Sequence, residues 1–129
     1  MRRCGEWLLM GAWGERPYDN DTAADWFVGL LEPAAKQIED LLNLDVDESH
    51  YDKYRAAAWF LIKIGRNYVY PTAMLGNHLS KLHDRLQTIR GDDSWLDSWR
   101  LRRKIEVEMD DLIQQLQRVC KWNNVVITF

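Results

Sequence analysis

Apolar residues in the second half of this chain recur at a fixed interval. Leu75, Leu79, Leu82, Leu86 and Ile89 are separated by 4, 3, 4 and 3 residues, and Ile105, Met109, Leu112, Leu116 and Val119 repeat the series. Each set lines one face of an α-helix. The shared period predicts that these two helices pack as an antiparallel pair at a shallow angle. Gly91 closes the first of them, and Asp92, Asp93 and Ser94 are candidates to cap the next helical segment. Trp95, Leu96 and Trp99 form a short apolar turn before the last helix, with a kink allowed between Trp99 and Lys104.

Upstream, Tyr51, Tyr54, Ala57, Ala58, Leu61 and Ile62 keep helical spacing, and Gly65 is the expected stop. Ala56, Ala57 and Ala58 permit close approach of a neighbour. The segment Asn67–Pro71 reads as a loop in which Tyr68, Val69 and Tyr70 form at most a brief extended piece. Nearer the N-terminus, Asn20 or Asp21 caps a helix whose Trp26, Phe27, Leu30 and Leu31 share a face, with Asp25 suiting the helix dipole. Pro33 is expected to open a second helix, with Ala34, Ala35, Ile38, Leu41 and Leu42 as its stripe. The C-terminal Val125–Phe129 is β-branched and apolar, and is expected to dock as an extended tail. The pattern predicts an all-α, single-domain bundle of about five helices, spanning residues 10–129. It begins with an irregular Trp-containing loop, and residues 1–9 form an N-terminal extension.

A chain of 129 residues buries roughly two thirds of the surface its unfolded form exposes and needs no covalent staple. Seven Trp supply much of its apolar volume. Cys4 and Cys120 are too few for a disulfide framework and read as free thiols, which places the chain in a reducing cytoplasm. The run Trp7–Met10 behind Arg2 and Arg3 is too short for a signal peptide, and no run is long enough to span a bilayer.

The net charge of −3 is unevenly spread. Residues 1–64 carry 7 Lys/Arg against 12 Asp/Glu, and residues 65–129 carry 10 against 8. Six acids, Glu39, Asp40, Asp45, Asp47, Glu48 and Asp52, lie together without an intervening Lys or Arg. The opposite cluster is Arg100, Arg102, Arg103 and Lys104, and the two clusters face either each other or water. An acidic chain is a poor nucleic-acid binder, because phosphate contacts supply most of that affinity. The interleaving of Trp95 and Trp99 with the four cations is read as a solvated helix face beside core rings.

The search for reaction chemistry returns little. His78 and His83 are five apart and diverge on a helix, whereas the usual helical metal spacing is four. Asp19, Asn20, Asp21 and Asp25 lack the spacing of a calcium loop, and helix capping accounts for them. No serine sits in a nucleophile elbow, nothing lowers the pKa of Cys4 or Cys120, and no strand or Lys accompanies Gly11 and Gly14 as a phosphate loop requires. No metal, cofactor or catalytic set is expected.

One segment does carry identity. Met10, Gly11, Ala12, Trp13 and Gly14, followed by Asp19, Asn20, Asp21, Ala23, Asp25 and Trp26, resemble the opening motif of a bacterial family, domain of unknown function 4259. Tyr18 stands at the family's aromatic position, and Arg16 departs where glycine is usual. The Ala-rich third helix and the Trp-bearing start of the last one add weaker likeness, so that the resemblance runs from Met10 to about Val119. It implies a small α-helical protein and brings no catalytic residue with it. Physically, Trp13, Tyr18, Asp19, Asn20, Asp21, Asp25 and Trp26 read as a structural clasp. The two loop rings tuck between the first and last helices, and Asp25 meets Arg55 or Arg103.

The leading functional expectation is a non-enzymatic protein-binding module, immunity- or inhibitor-like, whose six acids steer a basic protein partner. The alternative is an enzyme or small-ligand site at the Trp13–Asp25 loop. A homodimer through the exposed part of the Trp-rich face is compatible with either.

Overall fold

The computed structural model describes residues 14–127. Five helices run in order along it: α1 (Asp21–Leu42), α2 (Tyr51–Ile64), α3 (Thr72–Arg90), α4 (Asp93–Asp97) and α5 (Arg102–Trp122), with a single 3-10 turn, Glu48–His50, leading into α2. The all-α reading and the count of five hold, and the division of the chain among the helices differs.

Helices α2 and α3 lie in the middle, with α1 against one side of the pair and α5 against the other. Cross-helix pairs fix the directions. Arg90 meets Asp110 and His83 meets Gln117, so α3 and α5 are antiparallel, as their common period predicts. Glu39 meets His78 and the Leu42 carbonyl meets Arg85, so α1 and α3 are parallel. The two repeats noted in the sequence supply the centre of the core, where Leu79, Leu82, Leu86, Ile89, Met109 and Leu116 are fully buried.

Helix α1 corrects two expectations. Pro33 does not open a new helix; it lies inside a continuous one of 22 residues. Its missing N–H leaves the Gly29 carbonyl without a helical donor, a loss made tolerable because Pro33 and Gly29 both face solvent, where water can serve the carbonyl. Continuity then sets the buried face. The stripe Ala24, Leu31, Ala35, Ile38 and Leu42 faces the bundle, so Trp26 and Leu30, about half a turn away from it, are 64% and 54% exposed. Treated as a separate helix, the first two turns were free to choose their own apolar face. Joined to the rest, they are not.

The joints are built from capping and close contact. Gly65 ends α2, and a Cβ there would collide with the Leu61 carbonyl oxygen. Asn123 Nδ2 donates to the Gly65 and Val119 carbonyls, each at 2.9 Å, fastening the ends of α2 and α5 together. Tyr68 to Tyr70 form a tight turn instead of an extended piece, with Tyr68 at φ 67. Asp92 caps α4 through the Trp95 N–H at 3.1 Å and accepts the Tyr51 hydroxyl at 2.8 Å. Burial and that hydrogen bond push Tyr51 up to about 12. The expected apolar turn at Trp95 is α4 itself, and the allowed kink is a full break at residues 98–101. In the tail, Val125 and Ile127 pack on the core while Val126 is 91% exposed, the alternation of a docked extended segment. Thr128, Phe129, the 1–9 extension, Cys4 and Trp13 lie outside the described residues.

Because α1 carries a proline and a glycine on exposed interior positions, both are improvable. Pro33→Ala is expected to raise the urea-unfolding free energy by about 1–3 kcal/mol, and Gly29→Ala by up to about 1 kcal/mol.

Candidate protein-binding groove

The stripe that α1 turns away from the core is also apolar. Trp26, Leu30, Ala34 and Leu41, with Gln37 among them, succeed one another at intervals of three or four residues and share a face, and Leu44 follows just past the helix end. Its rear part meets Lys53, Ala56, Ala57 and Phe60 of α2 to form an open groove of about 570 Å³. The small side chains of Ala34, Ala56 and Ala57 leave the space, while Leu41, Leu44 and Phe60 give its walls their apolar character.

The six acids do not form one field. Asp40 lines the groove and pairs with Lys36 at 3.3 Å. Asp45, Asp47 and Glu48 are exposed on the loop that leaves the groove at Leu44. Asp47 accepts the Ser49 hydroxyl at 2.7 Å, a bond that holds its carboxyl below the ordinary range. Asp52 sits one turn further on, paired with Arg55 at 3.1 Å. Glu39 turns the other way, into the bundle. One acid, Asp40, therefore lines the apolar groove, Asp45 and Asp47 follow on the loop that leaves it, and Glu39, Glu48 and Asp52 are spent elsewhere.

The N-terminal motif, in its described part, holds the helix start. Asn20 caps α1 by accepting the Ala23 N–H at 2.8 Å. Asp19 closes a turn onto the Arg16 N–H at 3.4 Å, and a Cβ on Gly14 would lie 2.7 Å from its Oδ2. Tyr18 is half-buried, with the Arg66 guanidinium 5.4 Å from its ring centre. The same guanidinium lies 5.3 Å from the Trp122 ring, so the start of α1 is joined to the end of α5 through an arginine held between two rings. A hollow of about 230 Å³ lies beside them. Asp21 opens the helix, while Asp25 and Trp26 are exposed. Among the described residues no ion pair joins Asp25 to Arg55 or Arg103. Arg55 belongs to the first turns of α2, at the other end of the hairpin, and is taken by Asp52 and by the rings of Trp95 and Trp99.

The family model described as domain of unknown function (DUF4259) matches residues 11–121. The chain belongs to this family. No curated protein and no solved structure matches it. In this DUF4259 chain the matched region takes in the whole groove and all of the described clasp except Trp122.

Two histidines, which spacing alone rules out as metal ligands, are fully buried and act as structural joints. The Tyr70 hydroxyl donates to His78 Nδ1 at 2.6 Å, and His78 Nε2–H donates to the Glu39 carboxylate, so a loop, α3 and α1 are tied by one imidazole. Burial, and then the Glu39 charge, raise the Tyr70 hydroxyl well above its usual value. Gln117 Nε2 donates to His83 Nε2 at 3.1 Å, linking α5 to α3. Burial lowers the His83 pKa, and Asp84 opposes this more weakly. Cys120 is fully buried, and burial pushes its thiol up to about 11. Among the described residues no three His, Cys, Asp or Glu side chains gather into a set that could hold a metal ion. No helix among them is long and apolar enough to cross a membrane.

The groove left a trace in the sequence: α1 carries apolar residues at helical spacing on two faces, one more than a surface helix needs to join a bundle. Arg66 left none, since nothing in its neighbours marks it as the bridge between Tyr18 and Trp122.

His83 gives a testable pH dependence. In the unfolded chain its imidazole titrates near 6.5, and in the fold it titrates lower, so the unfolded state takes up the proton first. Its contribution is whole above about pH 6.5 and falls as pH drops from there toward the lowered folded value. Urea midpoints measured across that window are expected to decline in the wild type and to decline less in His83→Gln. His78→Phe, which leaves the buried Tyr70 hydroxyl without its acceptor, is expected to cost about 1–3 kcal/mol in the same assay at neutral pH.

Proposed function

We propose that this chain is a non-enzymatic protein-binding module, and that the groove between α1 and α2 receives an apolar segment of a basic protein partner. The observation that supports this reading is an apolar groove with Asp40 in its lining and the exposed Asp45 and Asp47 on the loop that leaves it at Leu44. Burying one large aliphatic or aromatic anchor in such a groove contributes about 1.5–3 kcal/mol. The exposed carboxylates at its end raise the rate at which a cationic partner arrives and set the direction in which its segment lies. A small acidic chain of this kind suits an immunity or inhibitor role, covering a basic toxin or nuclease.

A photo-crosslinking residue at position 56 tests this in a lysate of the source organism. It is expected to trap one protein partner at low salt and about tenfold less at high salt, where exposed charges are screened. Ala56→Trp, with the crosslinker moved to position 37, fills the groove and is expected to abolish the product. Equal capture from a crosslinker at Arg118, on α5, would count against the groove.

A further inference from the structure

A second surface lies around Trp99, where none of the residues that line the groove is found. Trp99 is 39% exposed and stands edge-on to Trp95, with ring centres 5.5 Å apart. Next to it Leu101 and Val107 are 56% and 55% exposed. On one side of Trp99, a depression of about 580 Å³ is walled by Glu48 and Asp52. The other depression, larger at about 1190 Å³, is walled by Arg103 and Lys104, with Glu108 among them. Trp99 and Arg100 belong to both. The face therefore runs from an acidic end, past the ring, to an end of net positive charge.

Several of the charges nearby are already committed. Arg55 pairs with Asp52, and Arg102 is shared by Asp93, Asp97 and Glu106. Among the described residues, Glu48, Glu108, Arg100, Arg103 and Lys104 enter no ion pair. The face thus keeps Glu48 unpaired at one end, three unpaired cations against the single acid Glu108 at the other, and a large exposed ring between them.

A surface with this order is complementary to itself after a half-turn. We propose that Trp99 lies at or near the twofold axis of a homodimer, with Glu48 of each copy opposite Arg103 and Lys104 of the other. A twofold interface uses the same patch on both partners, so each acid–base contact is made twice. Trp and Arg are the residues that most often carry the energy at the centre of an interface. The second copy is favoured over a nucleic acid because Glu48 and Asp52 stand in the same face, where they repel phosphates, and because Arg55 and Arg102 are neutralised by carboxylates. This goes beyond the groove reading and uses none of its residues.

Sedimentation velocity over a concentration series tests the pairing. The wild type is expected to form a reversible dimer that weakens as salt is raised. Glu48→Lys and Lys104→Glu, both exposed positions, are each expected to weaken the dimer about tenfold or more by placing like charges together. Mixed in equal amounts, the two variants are expected to recover affinity close to wild type as a heterodimer, since one acid–base contact is then native and the other is restored with reversed sign. Circular dichroism and thermal melts check that each variant is folded, and Ala56→Trp is expected to leave the dimer unchanged. Any of four results overturns the proposal: a wild type monomeric throughout, a dimer indifferent to either charge reversal, variants that fail to recover on mixing, or a dimer broken by Ala56→Trp. Tight binding of a duplex oligonucleotide, lost in Lys104→Glu, overturns it in favour of nucleic acid.

Discussion

The constraint on which the bundle depends is the enclosure of α3. Three long helices pack against it, and seven of its side chains are buried, two of them histidines. Leucines can be enclosed at no polar cost, whereas an imidazole cannot, because a buried donor or acceptor without a partner costs about 1–3 kcal/mol. The chain meets this by assigning each ring to a different neighbour: His78 to α1 and the turn before α3, His83 to α5. Apolar packing brings the helices together, and these two rings fix how far each is slid along its axis. One helix thus specifies the axial register of two others.

Much of the fold could be read from spacing, and the reasons for success and failure are specific. The repeats Leu75–Ile89 and Ile105–Val119 belong to helices buried along one face, so period alone identified them and their pairing. Gly65, Gly91 and Asp92 marked ends because the local backbone demanded it. Pro33 misled, because a proline is tolerated within a helix where it and the carbonyl four positions back are exposed. That error carried over to Trp26 and Leu30, whose orientation is set by residues on the far side of Pro33. The histidine joints were out of reach, since Glu39 and Gln117 are 39 and 34 residues from their partners.

The charges show the same division between local and distant information. The run of acids from Glu39 to Asp52 was plain, but its unity was not real. A helix sends Glu39 and Asp40 in different directions, and the 3-10 turn sends Glu48 toward Trp99 while Asp45 stays near the groove. The basic cluster was equally plain, yet Arg102 is occupied by three carboxylates and its neighbours are not. Sequence located the charges, and only the fold could show which of them remain available to a partner.

The stack of Tyr18, Arg66 and Trp122 has a consequence for the order in which the molecule comes apart. It is the only described tie of the leading loop to the far end of the chain, and Trp122 stands mostly in water. Ahead of Pro33, only Ala24 and Leu31 of α1 are buried. With so little of its surface enclosed and one backbone bond missing at its base, this front section can detach as a unit while the rear of α1 stays seated on α3 through Ala35, Ile38 and Leu42. Amide exchange would then keep two separate clocks along a single helix, fast before the proline and slow after it.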